Sequence, residues 1–526
     1  MLLSYKVLET QVFLLTASLG GSSRLTDFLK PGKNFIMFDF RKSLYGNSTS
    51  SASADLYVPR FGGAYANIRL PLSVDSGSKF CIILVVVAIL YSGFLTMQDF
   101  RTVIDRMSTT STGSIYLVAT RALVYLNIAV ILWRVLLVMG YKPAPTLTDA
   151  KLPRCTVIMP AYNEGKNVIK TLRSILKSDY PIEKLQIIAV NDGSADDTLY
   201  WMQQACENAN GRVELINFTR NRGKRAALYE AIKISKGSII VTIDSDSIID
   251  RHTIRRLVSP FIDPQVGAVA GSVRVLNRRE GIIPKMLEIS FAFSFDFIRA
   301  SQSMVNTVFC TPGALSAYRK KAINKDLKAW LEQTFFGKPA TIGEDRAITN
   351  IVLRNGYHVK FQSNSLVYTI VPTAYKQLCK MYLRWARSNV RETFVMAKFI
   401  FKKFRTGPRS GAIVNFFMSS ISMLLPQAAI SAFVAAVFID PQVYISQVAF
   451  ATVLASTAPV AFYIIRRRSS DSLWAYAYGI FWLVGLWWIT MWALITMGNG
   501  KWLTRDLPAD SRQTISSRII NFLRAA

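Results

Sequence analysis

The sequence predicts an α/β domain with a mixed, mostly parallel sheet, inserted between membrane-spanning helices. Three observations carry this expectation. Short apolar strands alternate with amphipathic helices from Pro145 to about Thr373, the pattern of a sheet covered by helices on both faces. Apolar runs long enough to cross a bilayer flank that stretch on both sides. Basic residues gather at the ends of those runs, as at Lys398, Lys402, Lys403, Arg405 and Arg409, and at Arg466-Arg467-Arg468, where a cytoplasmic membrane boundary places them.

Taken in order, residues 1–78 form a polar, turn-rich extension expected to be cytoplasmic. Two spans are expected within 79–141, one at Phe80 to Met97 and one over about 115–140. The α/β domain occupies 150–374. Its strands are expected at Cys155–Met159, Leu185–Val190, Val213–Phe218 and Ser238–Ile243, and its helices at Val168–Ser178, Ala195–Asn208 and Arg225–Ser235. Residues 375–409 are basic and aromatic, with Tyr382, Trp385, Phe394, Phe399 and Phe401, and suit helices lying in the membrane interface. Apolar runs near 412–438, 442–465 and 473–497 supply two to three further spans within 410–498. If the α/β domain is cytoplasmic, three full spans would put the basic tail, 499–526, outside. One run is therefore expected to be re-entrant or interfacial, and Pro426 marks the first of them.

Composition excludes some classes. The net charge is +30, from 63 Lys and Arg against 33 Asp and Glu, yet the basic residues form no single stripe or tail, so no nucleic-acid partner is expected. The five cysteines (Cys81, Cys155, Cys206, Cys310, Cys379) have no zinc-like spacing and suit a reducing compartment. Met1 to Leu19 has no basic region followed by a cleavage site, so no cleaved leader is expected.

The chemistry starts at Ser238-Ile-Ile-Val-Thr-Ile-Asp244-Ser-Asp246. Five β-branched residues make a buried strand, which ends in two acids. Paired carboxylates at a strand end call for a cation, and a divalent metal carrying a phosphate-bearing substrate fits. Two other strands open into polar loops at the same sheet edge: Pro160-Ala-Tyr162-Asn-Glu164, and Asn191-Asp192-Gly-Ser194 followed by Asp196 and Asp197. An Asp there accepts a hydrogen bond from a base N–H or a ribose hydroxyl; each loop alone also fits an ordinary helix cap. Asn221-Arg-Gly-Lys224-Arg225 puts a basic turn at a helix start, an anion site or a solvated turn. Thr341-Ile-Gly-Glu344-Asp345-Arg346 puts two acids at another helix start. One of them could take a proton from an attacking hydroxyl; a capped helix with an ion pair is the plainer alternative.

In order and spacing, Asp192, Asp244-Ser-Asp246, Glu344-Asp345 and Arg384-Trp385 between membrane spans resemble the processive family-2 glycosyltransferases. These include hyaluronan, chitin and cellulose synthases and the Nod-factor chitooligosaccharide synthase. The resemblance covers about Cys155 to Arg505. It implies a GT-A domain in which Asp192, with Tyr162 and Glu164 nearby, holds the uracil or ribose side of a UDP-sugar. Asp244 and Asp246 would bind UDP, Asp246 through Mg²⁺ or Mn²⁺, and Lys224 would touch the diphosphate. Asp345, with Glu344 beside it, would be the general base of an inverting single displacement. Arg384 and Trp385 would lie near the diphosphate and the acceptor sugar. Trp502-Leu-Thr504-Arg505 resembles a gating segment that closes over UDP, which also places the tail in the cytoplasm. The family's Gln-x-x-Arg-Trp pattern is broken at Met381, which lacks the hydrogen-bonding capacity of glutamine.

The resemblance thus implies a UDP-sugar donor, a growing polysaccharide acceptor, and a home in the plasma (inner) membrane with the catalytic domain cytoplasmic. Gln333-Thr-Phe-Phe-Gly337 and Ile342 to Asn350 resemble hyaluronan synthases; Arg384-Trp-Ala-Arg387-Ser388 resembles the chitooligosaccharide synthase. Both groups use UDP-GlcNAc. Cys310-Thr-Pro-Gly313-Ala would form the acceptor-site loop. A UDP-Glc-using β-glucan synthase, a non-processive lipid-linked sugar transferase and a non-catalytic export scaffold are the alternatives. His252 is expected at a solvent-facing helix position, and Asp196 and Asp197 as helix-start charges.

Overall fold

The computed structural model describes residues 72–421, 423 and 440–499. Most of the N-terminal extension, Pro426, and the segment holding Trp502, Thr504 and Arg505 lie outside the described residues.

The chain enters through three helices: α1 (Leu72–Leu95), α2 (Met97–Ser108) and α3 (Ser111–Gly140). α1 begins inside the stretch assigned to the polar extension. Its apolar side chains, among them Phe80, Leu84, Val87 and Phe94, are exposed, as a lipid-facing surface requires. α2 buries no residue at all.

The α/β domain is built on an eight-stranded sheet in the order β3-β2-β1-β4-β7-β6-β10-β5. The first half is the part the sequence predicts. β1 (Cys155–Ala161), β2 (Leu185–Asn191), β3 (Val213–Asn217) and β4 (Ile239–Ile243) pair in parallel. They alternate with α4 (Asn167–Leu176), α5 (Thr198–Glu207) and α6 (Lys224–Ile234). Every residue of β1 and β4 is buried, because helices cover both faces of a parallel sheet. The second half is less regular. β7 (Leu315–Arg319) runs antiparallel between β4 and β6 (Val266–Val275). β10 (His358–Thr369) runs parallel to β6, with a shift in register between Phe361 and Leu366, and carries the short β5 (Ser247–Ile249) antiparallel on its far side. Two further two-residue strands, β8 (Thr334–Phe335) and β9 (Lys338–Pro339), form a small hairpin.

Two helices join the sheet to the membrane part. α8 (Ile282–Phe293), which follows the short α7 (Thr253–Val258), continues through a π-helical turn at Ser294–Arg299 into Ala300–Met304. After α9 (Glu344–Arg354) comes α10 (Tyr375–Ala397), the long basic helix. An apolar helix follows at Ser410–Ile421, then α11 (Pro441–Arg467), α12 (Trp474–Phe481) and α13 (Trp488–Ile495).

Two described helical stretches, Asp75–Leu95 and Pro441–Arg467, are long and apolar enough to cross a membrane. A pair bent by 45°, Ser470–Leu486 with Trp488–Ile495, makes a third if it counts as one span. By length and composition these are candidate membrane spans.

One buried junction ties these parts together. Asp296, on the π turn, pairs with Arg274 of β6 at 2.8 Å and with Arg467 and Arg466 at the end of α11 at 3.4 and 4.0 Å. Beside it Phe293 and Phe297 stack at 4.8 Å, and both meet Phe462 of α11 edge-on.

Candidate active site

The parallel strands β1, β2 and β4 end at one edge of the sheet, so the loops that follow them converge. The first two are stitched together. Asn163 donates its amide to Ser194 Oγ at 3.1 Å and accepts the Ala195 amide on Oδ1 at 2.9 Å. Thr198 Oγ1 accepts the amides of Glu164 and Gly165, each at 2.8 Å. Asp196 does more than start a helix, since it accepts both the Gly165 and Thr198 amides. Tyr162 is 5% exposed, and its hydroxyl has no hydrogen-bond partner among the described residues.

Asp192 is buried beneath the basic turn. Its Oδ1 accepts the Arg222 amide at 2.8 Å and its Oδ2 accepts Asn221 Nδ2 at 3.2 Å. The carboxylate therefore shapes the turn from which α6 starts. Gly193, at φ +65°, lies so close to Arg220 that a Cβ would sit 2.2 Å from its carbonyl carbon; only glycine fits there.

At the start of α6, Lys224 bridges two acids that are far apart in the chain. Its Nζ lies 2.5 Å from Asp244 Oδ1 and 2.8 Å from Glu344 Oε1. The loop after Cys310 closes over this bridge: a Cβ on Gly313 would lie 2.7 Å from Lys224 Nζ and 3.3 Å from Asp244 Oδ2. Burial opposes the Lys224 charge, but Asp244 and Glu344 outweigh it and hold the ammonium above the ordinary lysine range.

The neighbouring acids Glu344 and Asp345 are driven apart. Burial alone would raise the Glu344 carboxyl, yet the charge and hydrogen bond of Lys224, with Arg384, pull it down to about 2. Burial and the Glu344 charge raise Asp345 above the usual aspartate range, against Lys224, the Arg346 amide and the Cys310 thiol. Two adjacent carboxyls whose environments separate their proton affinities suit different tasks.

A buried polar lattice holds these two acids in place. Arg391 of α10 donates to the Ile342 carbonyl and pairs with Glu392 at 3.0 Å. Glu392, with no exposed surface, accepts Asn350 Nδ2 and Gln333 Nε2. Arg225 donates to the Trp330 carbonyl and to Gln333 Oε1, and Trp330 Nε1 donates to the Glu344 carbonyl. Sequence reasoning assigned Arg391 and Glu392 no role, although an adjacent ion pair on the helix face shared with Ser388 and Met381 was the available signal. Gly343 closes the lattice at φ +69°, where a Cβ would lie 1.7 Å from Ser388 Oγ. Gly343→Ala is expected to lose most of the activity of this site. Left-handed backbone alone costs about 1–2 kcal/mol in any other residue, and the clash displaces α9 from α10. Radiolabelled product from membranes and a thermal melt check both effects.

Arg384 lies near enough to help ionise Glu344. Trp385 is 38% exposed and shares an aromatic shelf with Tyr382 at 5.6 Å and Phe291 at 6.2 Å. Met381 is buried in the apolar core, so this position offers no polar contact. His252 is exposed at the start of α7, as expected, with its Nδ1 at 3.0 Å from Asp179 Oδ2.

The model of the glycosyl transferase family 2 matches residues 156–327. An N-acetylglucosaminyltransferase of Rhizobium meliloti is 33% identical over 290 residues, which are 55% of this chain and 68% of that protein. The chain belongs to glycosyltransferase family 2. A hyaluronan synthase of Streptococcus pyogenes is 29% identical to this family 2 enzyme over 363 residues, 67% of this chain and 83% of that one. Three further relatives are matched over only 51–61% of their length. Among solved structures, a mannosyltransferase from Pyrobaculum calidifontis in complex with GDP-Man and Mn2+ aligns over 77% of this chain and 99% of that chain, with 21% identity and a TM-score of 0.45. The α/β domain of this glycosyltransferase has the mixed, mostly parallel sheet expected of a GT-A-like domain, with its acids at the carboxyl edge of the parallel half-sheet.

The residues of that edge can be tested as a metal site. Among the described residues no group of three or more His, Cys, Asp or Glu is arranged around a common point. Mg²⁺ in nucleotide sites uses one or two carboxylates plus substrate phosphates and water, so a complete protein cage is not required. Asp244 is already paired with Lys224. Asp246 Oδ1 accepts hydroxyl bonds from Ser247 at 3.1 Å and Thr369 at 3.4 Å. This donor set fits a metal held mainly by Asp246 and completed by a diphosphate.

Proposed function

We propose that this protein is a membrane-embedded, processive, inverting glycosyltransferase that builds a β-linked polysaccharide from UDP-N-acetylglucosamine on the cytoplasmic side of the inner membrane. The observation that carries the reading is the pair Glu344–Asp345 beside Lys224. One acid is ionised and locked to a cation; the other has a raised proton affinity and sits next to it.

The residues divide the work as follows. Asp192, Tyr162 and Glu164 line the nucleoside end. Lys224, held by Asp244 and Glu344, presents its ammonium to the diphosphate, where negative charge grows as UDP leaves. Asp246, with Asp244, would hold Mg²⁺ or Mn²⁺. That cation supplies Lewis-acid stabilisation of the departing diphosphate when bound. Asp345 takes the proton from the acceptor hydroxyl as its oxygen forms a bond to the anomeric carbon and the carbon–UDP bond breaks. A raised pKa makes it a better base once ionised. Arg384 supports the charge on the diphosphate side, and the Trp385 shelf is a surface for the acceptor ring. Trp502, Thr504 and Arg505 belong to the segment that would cover bound UDP. The apolar helices around the domain are the route proposed for the product.

The test is to feed membranes containing the protein UDP-GlcNAc, UDP-GlcA and UDP-Glc, singly and in pairs. High-mass product is expected only when UDP-GlcNAc is present, and linkage-specific hydrolases identify it. EDTA is expected to reduce the rate by about 100-fold or more, the scale of a lost electrostatic element at the transition state, and Mn²⁺ to restore it. Undiminished product in EDTA would remove the metal assignment. Product from UDP-Glc alone would make the enzyme a glucan synthase.

A further inference from the structure

We infer that Cys310 is a positioning residue for Asp345, holding one oxygen of the carboxylate toward the acceptor through a deliberately weak hydrogen bond. This rests on Asp345 being the base.

The two oxygens of Asp345 are held differently. Oδ1 accepts the Arg346 amide at 2.7 Å, a bond within its own helix. Oδ2 accepts the Cys310 thiol at 3.6 Å. A thiol is a weak donor, so Oδ2 is oriented but remains the basic oxygen. Burial, with the Asp345 charge next, pushes the thiol up to about 12. It therefore stays protonated and keeps its donor throughout the working range.

Cys310 is itself anchored on both sides. Arg299 Nε donates to the Cys310 carbonyl at 3.2 Å. The Arg299 side chain is fixed by Ser294 Oγ at 2.7 Å and lies 3.9 Å over the Phe295 ring. Ser294, Phe295 and Arg299 are the first, second and last residues of the π turn, whose wider winding brings them to one side. After Cys310, Thr311 donates its amide to Thr349 Oγ1 at 3.2 Å, and Thr349 Oγ1 donates to the Asp345 carbonyl at 2.7 Å. Loop and base helix are thus tied into one unit, and the thiol sets the remaining freedom of the carboxylate.

The ionisable groups around Asp345 are Glu344 and Arg346 on its own helix, Lys224 and Arg225 on α6, Cys310 in the loop, Arg299 on the π turn and Tyr318 on β7. Transfer needs the ionised carboxylate, so the rate rises with pH through the Asp345 pKa. A donor to the charged form lowers that pKa, and its removal raises it.

The experiment is the pH profile of the transfer rate at saturating donor, using full-length enzyme in membranes. Cys310→Ala is expected to move the acid limb up by about half a pH unit, the scale of a weak donor to a charged acceptor. Cys310→Ser, a stronger donor, is expected to move it down by a similar amount and to lower the plateau about twofold, since the base is weaker. The KM for the UDP-sugar stays unchanged in both. Acid limbs that coincide with wild type in both variants would overturn the proposal, as would a change confined to KM. Asp345→Asn run in parallel separates the claims: residual transfer by that variant would show the base itself to be misassigned, whatever the cysteine variants do.

Discussion

Asp345→Asn abolishes polymer formation, with an expected loss of about 10³-fold or more, at the upper part of what a general base contributes. UDP binding stays within about twofold of wild type. Asparagine keeps the size of the side chain and an oxygen for the Arg346 amide bond, but it has no basic oxygen to receive a proton. The two readouts must part company. Product from radiolabelled UDP-sugar falls to background, while titration with UDP by calorimetry is nearly unchanged. Loss of both together would mean that Asp345 is a nucleotide ligand. Wild-type activity is expected to rise with pH through a value above the ordinary aspartate pKa, because burial and Glu344 raise it.

Lys224→Ala carries the second large effect, on stability as well as rate. The substitution leaves Glu344, 7% exposed, facing Asp244 without the shared cation. Breaking one partner out of a buried ion pair costs about 3–5 kcal/mol. Transfer is expected to fall by at least about 100-fold, as for loss of a group that stabilises developing charge. The sign of the pH effect follows from Glu344. Its carboxyl is lowered to about 2 in the fold, so its stabilisation is complete above the unfolded value near 4.3 and is lost as pH falls toward 2. Without Lys224 the folded value rises and that contribution disappears. Thermal melts at pH 7 and pH 4 measure this: wild type should lose little between them relative to the variant's deficit. Equal melting temperatures for both proteins at pH 7 would show the bridge to be idle in the folded state.

The parallel half of the sheet was legible because local pattern determines it. The β-branched run before Asp244 makes β4, and the four strands and three helices expected between Cys155 and Ile243 lie within a few residues of where they form. The antiparallel β7 and the long β10 were not foreseen. Nothing in Leu315–Arg319 distinguishes insertion between β4 and β6 from an added edge strand, since that choice depends on partners about 50–75 residues away. The acids of the site were visible as residue types at strand and helix ends. Their pairing was not: Lys224 meets Glu344 across 120 positions, and no spacing rule links α6 to α9. The Arg225–Gln333–Glu392–Arg391 lattice was hidden for the same reason, because charged residues on a basic helix look like solvent-facing ones until the fold buries them.

The junction at Asp296 is lopsided in a way that fixes how it fails. One carboxylate serves Arg274, Arg466 and Arg467, which reach it from a strand of the sheet and from the end of a span. Any single arginine can be lost and the acid keeps two counterions. Loss of the acid removes the shared partner of three cations at once, two of them crowded at the foot of α11, and leaves Glu288 as the acid acting on Arg274 and Arg467. The joint between the sheet and the apolar helices is thus redundant in its bases and leans on one shared acid, and substitutions there should be tolerated in that order.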